Sequence, residues 1–288
     1  MNKYSNKRFL YSALLVLIAA NGFIWQAILF GSGTENLGLY FLDVGQGDSE
    51  LINFPGDVQV LIDGGPNTKV LEGLARALPA QDRYIDLVVV SHPQLDHFGG
   101  LIDVLESYKV GAVIENGRKG TTAAYADFEK TLQENGVRRI ILTEGDKIKY
   151  EDATLSVLSP NRKNLASKEL NDSVLVMMLE KSGLRALYTG DIGKDIEDEL
   201  LKKYDLSAQV LKVGHHGSRF SSSPEFLKAV NPVISVIEVG KNTYGHPTPA
   251  ALGRLADVGT QIFRTDRDRT ILVDFDGDKL RVYLKKLW

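Results

Sequence analysis

The sequence predicts an α/β protein in which two packed β-sheets are flanked by helices, preceded by one apolar helix. Three observations carry this. From Leu37 onward, short β-rich runs alternate with amphipathic helical stretches. Glycine- and histidine-rich motifs stand directly after the apolar runs, as when loops at sheet ends carry chemistry. Near the N-terminus, Phe9–Phe30 holds no charged residue.

Lys3, Lys7 and Arg8 precede that apolar stretch. Twenty-two residues of helix span about 33 Å, against a hydrocarbon core of roughly 30 Å. The stretch is longer than the apolar core of a cleaved signal peptide, which is the alternative reading. Trp25 and Phe30 lie toward its far end, where aromatics favour the membrane interface. Residues 1–30 are therefore expected to be a cytoplasmic N-terminus and a single-pass anchor in the cell membrane. The positive flank sets the N-terminus inside and the remaining chain outside the cytoplasm. Residues 31–36 read as a flexible linker and 37–288 as one domain.

Within that domain, strands are expected at Leu39–Leu42, Glu50–Phe54 and Val58–Ile62, divided by Gly and Pro turns. Thr68–Leu78 places Val70, Leu71, Leu74, Ala75 and Leu78 at helical spacing. Leu87–Val90 reads as a buried strand, and a helix begins at Leu101 after Gly99-Gly100. Further strands are expected at Ala112–Ile114, Arg139–Leu142, Leu155–Leu158, Val174–Leu179, Ala186–Tyr188 and Gln209–Val213. Ile234–Val239, Gln261–Arg264, Thr270–Asp274 and Lys279–Leu284 complete them. Helices are expected at Tyr125–Gln133, Asp195–Lys203, Glu225–Val230 and Ala250–Ala256.

Composition narrows the chemistry. The apolar fraction of 43% with 25% charged residues suits a globular domain. A net charge of -3 supplies no global positive field to draw the chain to nucleic acid, although a local stripe suffices for that. There is no cysteine, which excludes disulfides, thiolate zinc sites and a cysteine nucleophile. Any metal must be held by nitrogen and oxygen. All five histidines fall in three motifs: Ser91-His92-Pro93-Gln94-Leu95-Asp96-His97, Gly214-His215-His216-Gly217-Ser218 and Tyr244-Gly245-His246-Pro247.

In an extended segment alternate residues face one way, so His92, Gln94 and Asp96 converge while His97 reaches round as the loop turns into a helix. The plainer reading makes Asp96 a helix cap. Asp191, closing the strand that ends Tyr188-Thr189-Gly190, has two oxygens and so could bridge two cations, or cap the following helix. His215 and His216 are adjacent and point apart, so one is expected at a metal and the other toward substrate; His215 is assigned to the metal. Ser218 and the amides near Gly217 are placed to hold a phosphate or oxyanion. His246 reads as a substrate contact or general acid, or as a loop histidine bonded to backbone. Asp43–Ser49 and Asp63-Gly64-Gly65 read as tight turns, with Asp63 also suited to hydrogen-bond a ligand histidine.

Taken in order, these motifs resemble the metallo-β-lactamase fold superfamily. The match runs from Phe41-Leu42-Asp43-Val44-Gly45-Gln46-Gly47-Asp48 through Asp63-Gly64-Gly65, Ser91-His92…Asp96-His97-Phe98-Gly99-Gly100-Leu101 and Thr189-Gly190-Asp191. It continues with Lys212-Val213-Gly214-His215-His216-Gly217-Ser218, Asn242-Thr243-Tyr244-Gly245-His246-Pro247 and Arg264-Thr265-Asp266. More closely, it looks like the metallo-hydrolase domain of ComEC-type competence proteins and its stand-alone relatives. The resemblance implies a four-layer αββα sandwich with a dinuclear zinc or manganese centre at one edge. It also implies hydrolysis of nucleic-acid phosphodiesters outside the cytoplasmic membrane, in DNA uptake, with a membrane channel as possible partner.

Carried over position by position, His92, Gln94, Asn171 or Asp172, and a bridging Asp191 would form the first metal site. Asp96, His97, Asp191 and His215 would form the second. Asp96 would also orient the attacking water. His216, His246 and Ser218 would contact the phosphate or protonate the leaving oxygen, and Lys212, Arg219 and Arg264 would meet the substrate backbone. Two positions depart from the pattern: Val174 stands where Ser is usual, and Gln94 where members place His or Asp. An amide is a weaker, uncharged ligand, so one tight and one loose metal are expected. The alternatives are hydrolysis of another ester or a β-lactam, and a non-catalytic module that binds metal or phosphate.

Overall fold

The computed structural model describes residue 7, residues 11–22 and residues 35–285. Of the expected anchor Phe9–Phe30, residues 11–22 lie within them and residues 9–10 and 23–30 outside. Residues 11–22 are helical and leave Tyr11, Leu14, Leu15, Val16, Leu17 and Ile18 exposed. No helix among the described residues is long and apolar enough to cross a membrane.

The remainder builds two mixed sheets. The first, in spatial order, is β15 (Leu280–Lys285), β14 (Thr270–Phe275), β1 (Leu37–Phe41), β2 (Glu50–Phe54), β3 (Val58–Ile62), β4 (Tyr84–Val89), β5 (Lys109–Glu115) and β6 (Arg138–Ile141). The second is β13 (Gln261–Arg264), β12 (Ile234–Ile237), β11 (Val210–Lys212), β10 (Leu184–Tyr188), β9 (Val176–Lys181), β8 (Ala153–Ser159) and β7 (Lys147–Tyr150).

Period-two side-chain placement explains the layers. Leu39, Phe41, Ile52, Val60, Ala186, Val236 and Ile271 meet in the core between the sheets. Alternate residues Leu51 and Leu61 point outward against Val70 and Leu74 of helix Lys69–Ala77, Leu101 and Val104 of Leu101–Ser107, and Phe128 of Ala123–Glu134. On the other side, Leu187 and Leu211 pack with Ile196, Leu227 and Leu255 from helices Lys194–Leu201, Pro224–Val230 and Pro249–Asp257. Strands buried on both faces read as continuous apolar runs, which is why they were legible as strands. A one-residue slip of β1 would exchange Leu39 and Phe41 for Gly38 and Tyr40 in the inner core. At roughly 1.5–3 kcal/mol per buried large apolar side chain, that fixes the register.

Strand β7 was not anticipated. Its residues alternate between exposed lysines and half-buried Ile148 and Tyr150, on an edge where charge discourages further pairing. Strands β3 to β6 run parallel, as do β10 to β13. Their C-terminal ends supply the loops that hold the site, beside the junction with each sheet's antiparallel half.

Candidate metal centre

Asp63 follows β3 and accepts three hydrogen bonds: from the Ser91 amide (2.8 Å), the Ser91 hydroxyl (2.5 Å) and His97 Nδ1 (2.7 Å). The Ser91 hydroxyl spends its only proton on Asp63, so at 3.0 Å it accepts from His92 Nδ1. His216 Nδ1 donates to the Glu238 carbonyl at 2.8 Å. All three imidazoles therefore have Nδ1 committed as donor, which leaves each Nε2 as the atom that takes a proton or a metal ion. Nε2 of His92, His97 and His216, and Oδ1 of Asp191, are buried without a hydrogen bond.

Four of the candidate groups converge: Asp96, His97, Asp191 and His216 each offer one ligand atom within 4.8 Å of the others. His97 Nε2 lies 3.4 Å from Asp191 and 4.0 Å from Asp96, while His216 Nε2 lies 3.5 Å from each of the same carboxylates. Mixed imidazole and carboxylate donors, buried and without hydrogen-bond partners at Nε2, suit a divalent cation. The electrostatics agree. Burial pulls the His216 pKa down, but Asp191 and Asp48 outweigh it and lift it to about 10. His97 is likewise opposed by burial yet held well above the usual range by Asp191 and Asp63. Burial pushes Asp191 up, while His216 and His97 hold it well below the carboxylate range. The field that would protonate both imidazoles is one that attracts a cation.

The other assigned residues surround these four. His216 is one of the four converging donors, while His215, the histidine assigned to the metal, is half-buried beside them with Nε2 3.9 Å from Asp191. The cause is a left-handed turn: φ is 49° at His215, 53° at His216 and 79° at Gly217, which turns the second ring inward. Asp96 and Asp191 are not helix caps; Gln94 and Gly193 hold those positions. His92 is buried 4.1 Å, ring to ring, from His97, but is not one of the four. Burial, then His97, pushes it down to about 3, so it is neutral. Gln94 donates to Asn171 Oδ1 in a short bond, and Asp172 is turned away to accept from the Ser167 hydroxyl at 2.6 Å. The weaker half of the expected pair is thus closed on itself.

The substrate contacts divide similarly. Lys212 is buried and paired with Asp48, donates to the Gly190 carbonyl at 3.2 Å, and cannot reach a substrate. Ser218 is buried, and its hydroxyl accepts from the Phe220 amide. Arg264 is clasped by Asp266 at 2.7 Å. Arg219 is exposed over the Phe220 ring, and His246 lies 5.7 Å from the His215 ring. Burial, then His215 and His216, pushes His246 down, which makes it a poor proton donor.

Asp48, Glu50 and Glu238 were missed. Asp48 lies between β1 and β2, 3.2 Å from His216 Nδ1. Burial raises it, but Lys212, His216 and His97 together hold it ionised. A Cβ on Gly47 would sit 2.3 Å from the Asp96 carbonyl oxygen, so only glycine lets this loop approach. Glu50 is pushed well above the carboxylate range by burial and then by Glu238; Glu238 rises to about 7 through burial and Asp48. The available signal was a charge inside the apolar runs Glu50–Phe54 and Ile234–Val239, since a buried carboxyl needs a partner.

Two sheets sandwiched by helices, with a His/Asp centre at the strand ends, are the architecture of the metallo-β-lactamase hydrolases. A family model described as "Beta-lactamase superfamily domain" matches residues 59–219, and the chain belongs to that superfamily. It is 33% identical over 252 residues to ComE operon protein 3 of Bacillus subtilis, a match covering 80% of this chain and 32% of that protein. It is 33% identical over 229 residues to Competence protein ComA of Neisseria gonorrhoeae, covering 78% and 30%. The chain thus spans about a third of the length of these curated relatives. The metallo-β-lactamase fold protein YhfI from Bacillus subtilis superposes with a TM-score of 0.58 at 13% identity, covering 83% of this chain and 99% of that one, and shares the fold.

Proposed function

We propose that this domain is a metal-dependent phosphodiesterase acting on nucleic acid. The observation that carries it is the convergence of His97, His216, Asp96 and Asp191, whose two buried imidazole Nε2 atoms have no hydrogen-bond partner. Asp96, His97, Asp191 and His216 would hold the ion tightly, with His92 on the weaker side. A divalent ion bound there supplies Lewis-acid activation of water and neutralises phosphoryl charge. Asp96 is one-third exposed, and His216 and His97 hold its carboxyl low against burial. It is therefore ionised at neutral pH and placed to take a proton from water at the mouth. His215, at the same rim, is placed to meet the phosphate. Kinship with competence proteins supports nucleic acid over other esters. The purified chain with manganese or zinc should cleave DNA or RNA and lose cleavage as His97→Ala; activity confined to β-lactams or carboxylic esters would replace this reading.

A second reading is a module that binds without cleaving, favoured by the Gln94–Asn171 bond. Under it, Gln94→Asp or Gln94→His raises a near-zero activity many-fold; under ours the wild type is already active. We further propose that the exposed apolar residues 11–22 belong to a single-pass anchor with the domain outside the cytoplasm. Fractionation of the full chain tests this, with recovery in the soluble fraction opposing it.

A further inference from the structure

We propose that Tyr244, His246 and His215 form a preorganised stacking shelf for a base of a single-stranded polynucleotide, leading from the solvent to the metal centre. The proposal rests on the phosphodiesterase reading and adds a subsite and a substrate form to it. The rings follow one another: Tyr244 and His246 lie 5.8 Å apart between centroids with planes 33° apart, His215 meets His246 edge-on at 5.7 Å and 80°, and His215 Nε2 is 3.9 Å from Asp191, so the face open to a base is that of Tyr244 with His246 behind it. Tyr244 is 74% exposed, the most exposed large apolar side chain among the described residues.

Its position is set by the backbone beneath it. Asn242 Oδ1 accepts from the amides of Tyr244 and His246 at 3.1 Å each, and its Nδ2 donates to the carbonyls of Gly240 (2.9 Å) and His246 (2.8 Å). One side chain thus braces the whole turn. The root of the turn is fixed too: Gln46 Oε1 accepts from the Gly240 amide, and a Cβ on Gly240 would lie 2.4 Å from Gly45 backbone. The tyrosine ring makes none of these hydrogen bonds, yet the braced backbone beneath it sets it in water beside the His246 ring. A second exposed aromatic, Phe220, follows the His215–Gly217 turn, with the Arg219 guanidinium 4.7 Å above it. Lys241 is exposed next to Asn242. Exposed aromatic faces with cations beside them in the chain are the groups that bases and phosphates meet. Bases in a duplex are stacked on one another and present no free face, so the fit is to a single strand.

Binding of a short fluorescein-labelled oligothymidylate to the full chain, followed by anisotropy in chelator so that nothing is cleaved, tests the shelf. Tyr244→Ala should weaken binding about 5- to 100-fold, the range that loss of one base–aromatic stack gives, while Tyr244→Phe retains it. An abasic strand of equal length should bind wild type and Tyr244→Ala alike. Equal affinity of Tyr244→Ala and wild type for the oligothymidylate, an equal loss with the abasic strand, or duplex binding as tight as single strand would each overturn the shelf. Hydrolysis of bis-p-nitrophenyl phosphate with manganese separates the two readings. Turnover with Tyr244-independent binding sinks the shelf alone; Tyr244-dependent binding without turnover of any phosphodiester sinks the enzyme reading alone.

Discussion

At the scale of single residues, the decisive feature is the left-handed turn that delivers His216. Two successive non-glycine residues with positive φ cost of order 1–3 kcal/mol each, and such strain persists where surrounding structure over-determines it. Here the Glu238 carbonyl and Asp48 hold the ring. His216→Ala should therefore weaken metal binding at least about 100-fold, whereas His215→Ala leaves it nearly unchanged; calorimetric titration distinguishes them. Asp63→Asn, which keeps the shape but disturbs the Nδ1 partner of His97, should weaken it about 10- to 100-fold. Adjacent histidines were legible as one inward and one outward. Which was which depends on the handedness of the turn, and no residue pattern states that. Asp48 was hidden for a related reason: a carboxylate in a Gly-x-Gly-Asp turn reads as turn chemistry until its partner, 164 residues away, is known.

At the scale of elements, the centre exists because loops from both sheets meet, and the contacts between them are charged and buried. Lys212 at the end of β11 pairs with Asp48 before β2 and stands 3.9 Å from Asp191. Removing one partner of a buried pair leaves an uncompensated charge, so Lys212→Met should lose about 3–5 kcal/mol in urea unfolding. Gly47→Ala should also destabilise the protein and lower metal affinity, because the added methyl meets backbone and not a flexible side-chain tip. Apolar strands and amphipathic helices were legible because burial on two faces, or on one, imposes distinct periods. The edge strand β7, half in water and carrying two lysines, imposes neither strongly.

At the scale of the whole molecule, the domain concentrates carboxylates and imidazoles at one edge, and its stability without metal must depend on pH. The folded pKa of His216 is raised to about 10 and that of His97 is also raised, so their contribution is full below the unfolded value near 6.5. It is lost as pH rises through about 10. Glu238, raised to about 7, acts in the same sense from about 4.5 upward. Asp48 and Asp191 are depressed, and their contribution is lost only in stronger acid. In chelator the melting temperature should fall between about pH 6.5 and 10, and added metal should suppress that fall, since a cation replaces the protons. A flat profile in chelator would contradict the charge arrangement.

The most direct test of the account is the number of divalent ions bound by the purified full chain. Titration with manganese or zinc should show one tight ion per chain, lost in His216→Ala and in Asp191→Asn and kept in His215→Ala. Absence of tight binding, or a His216→Ala chain that binds as wild type does, would contradict it.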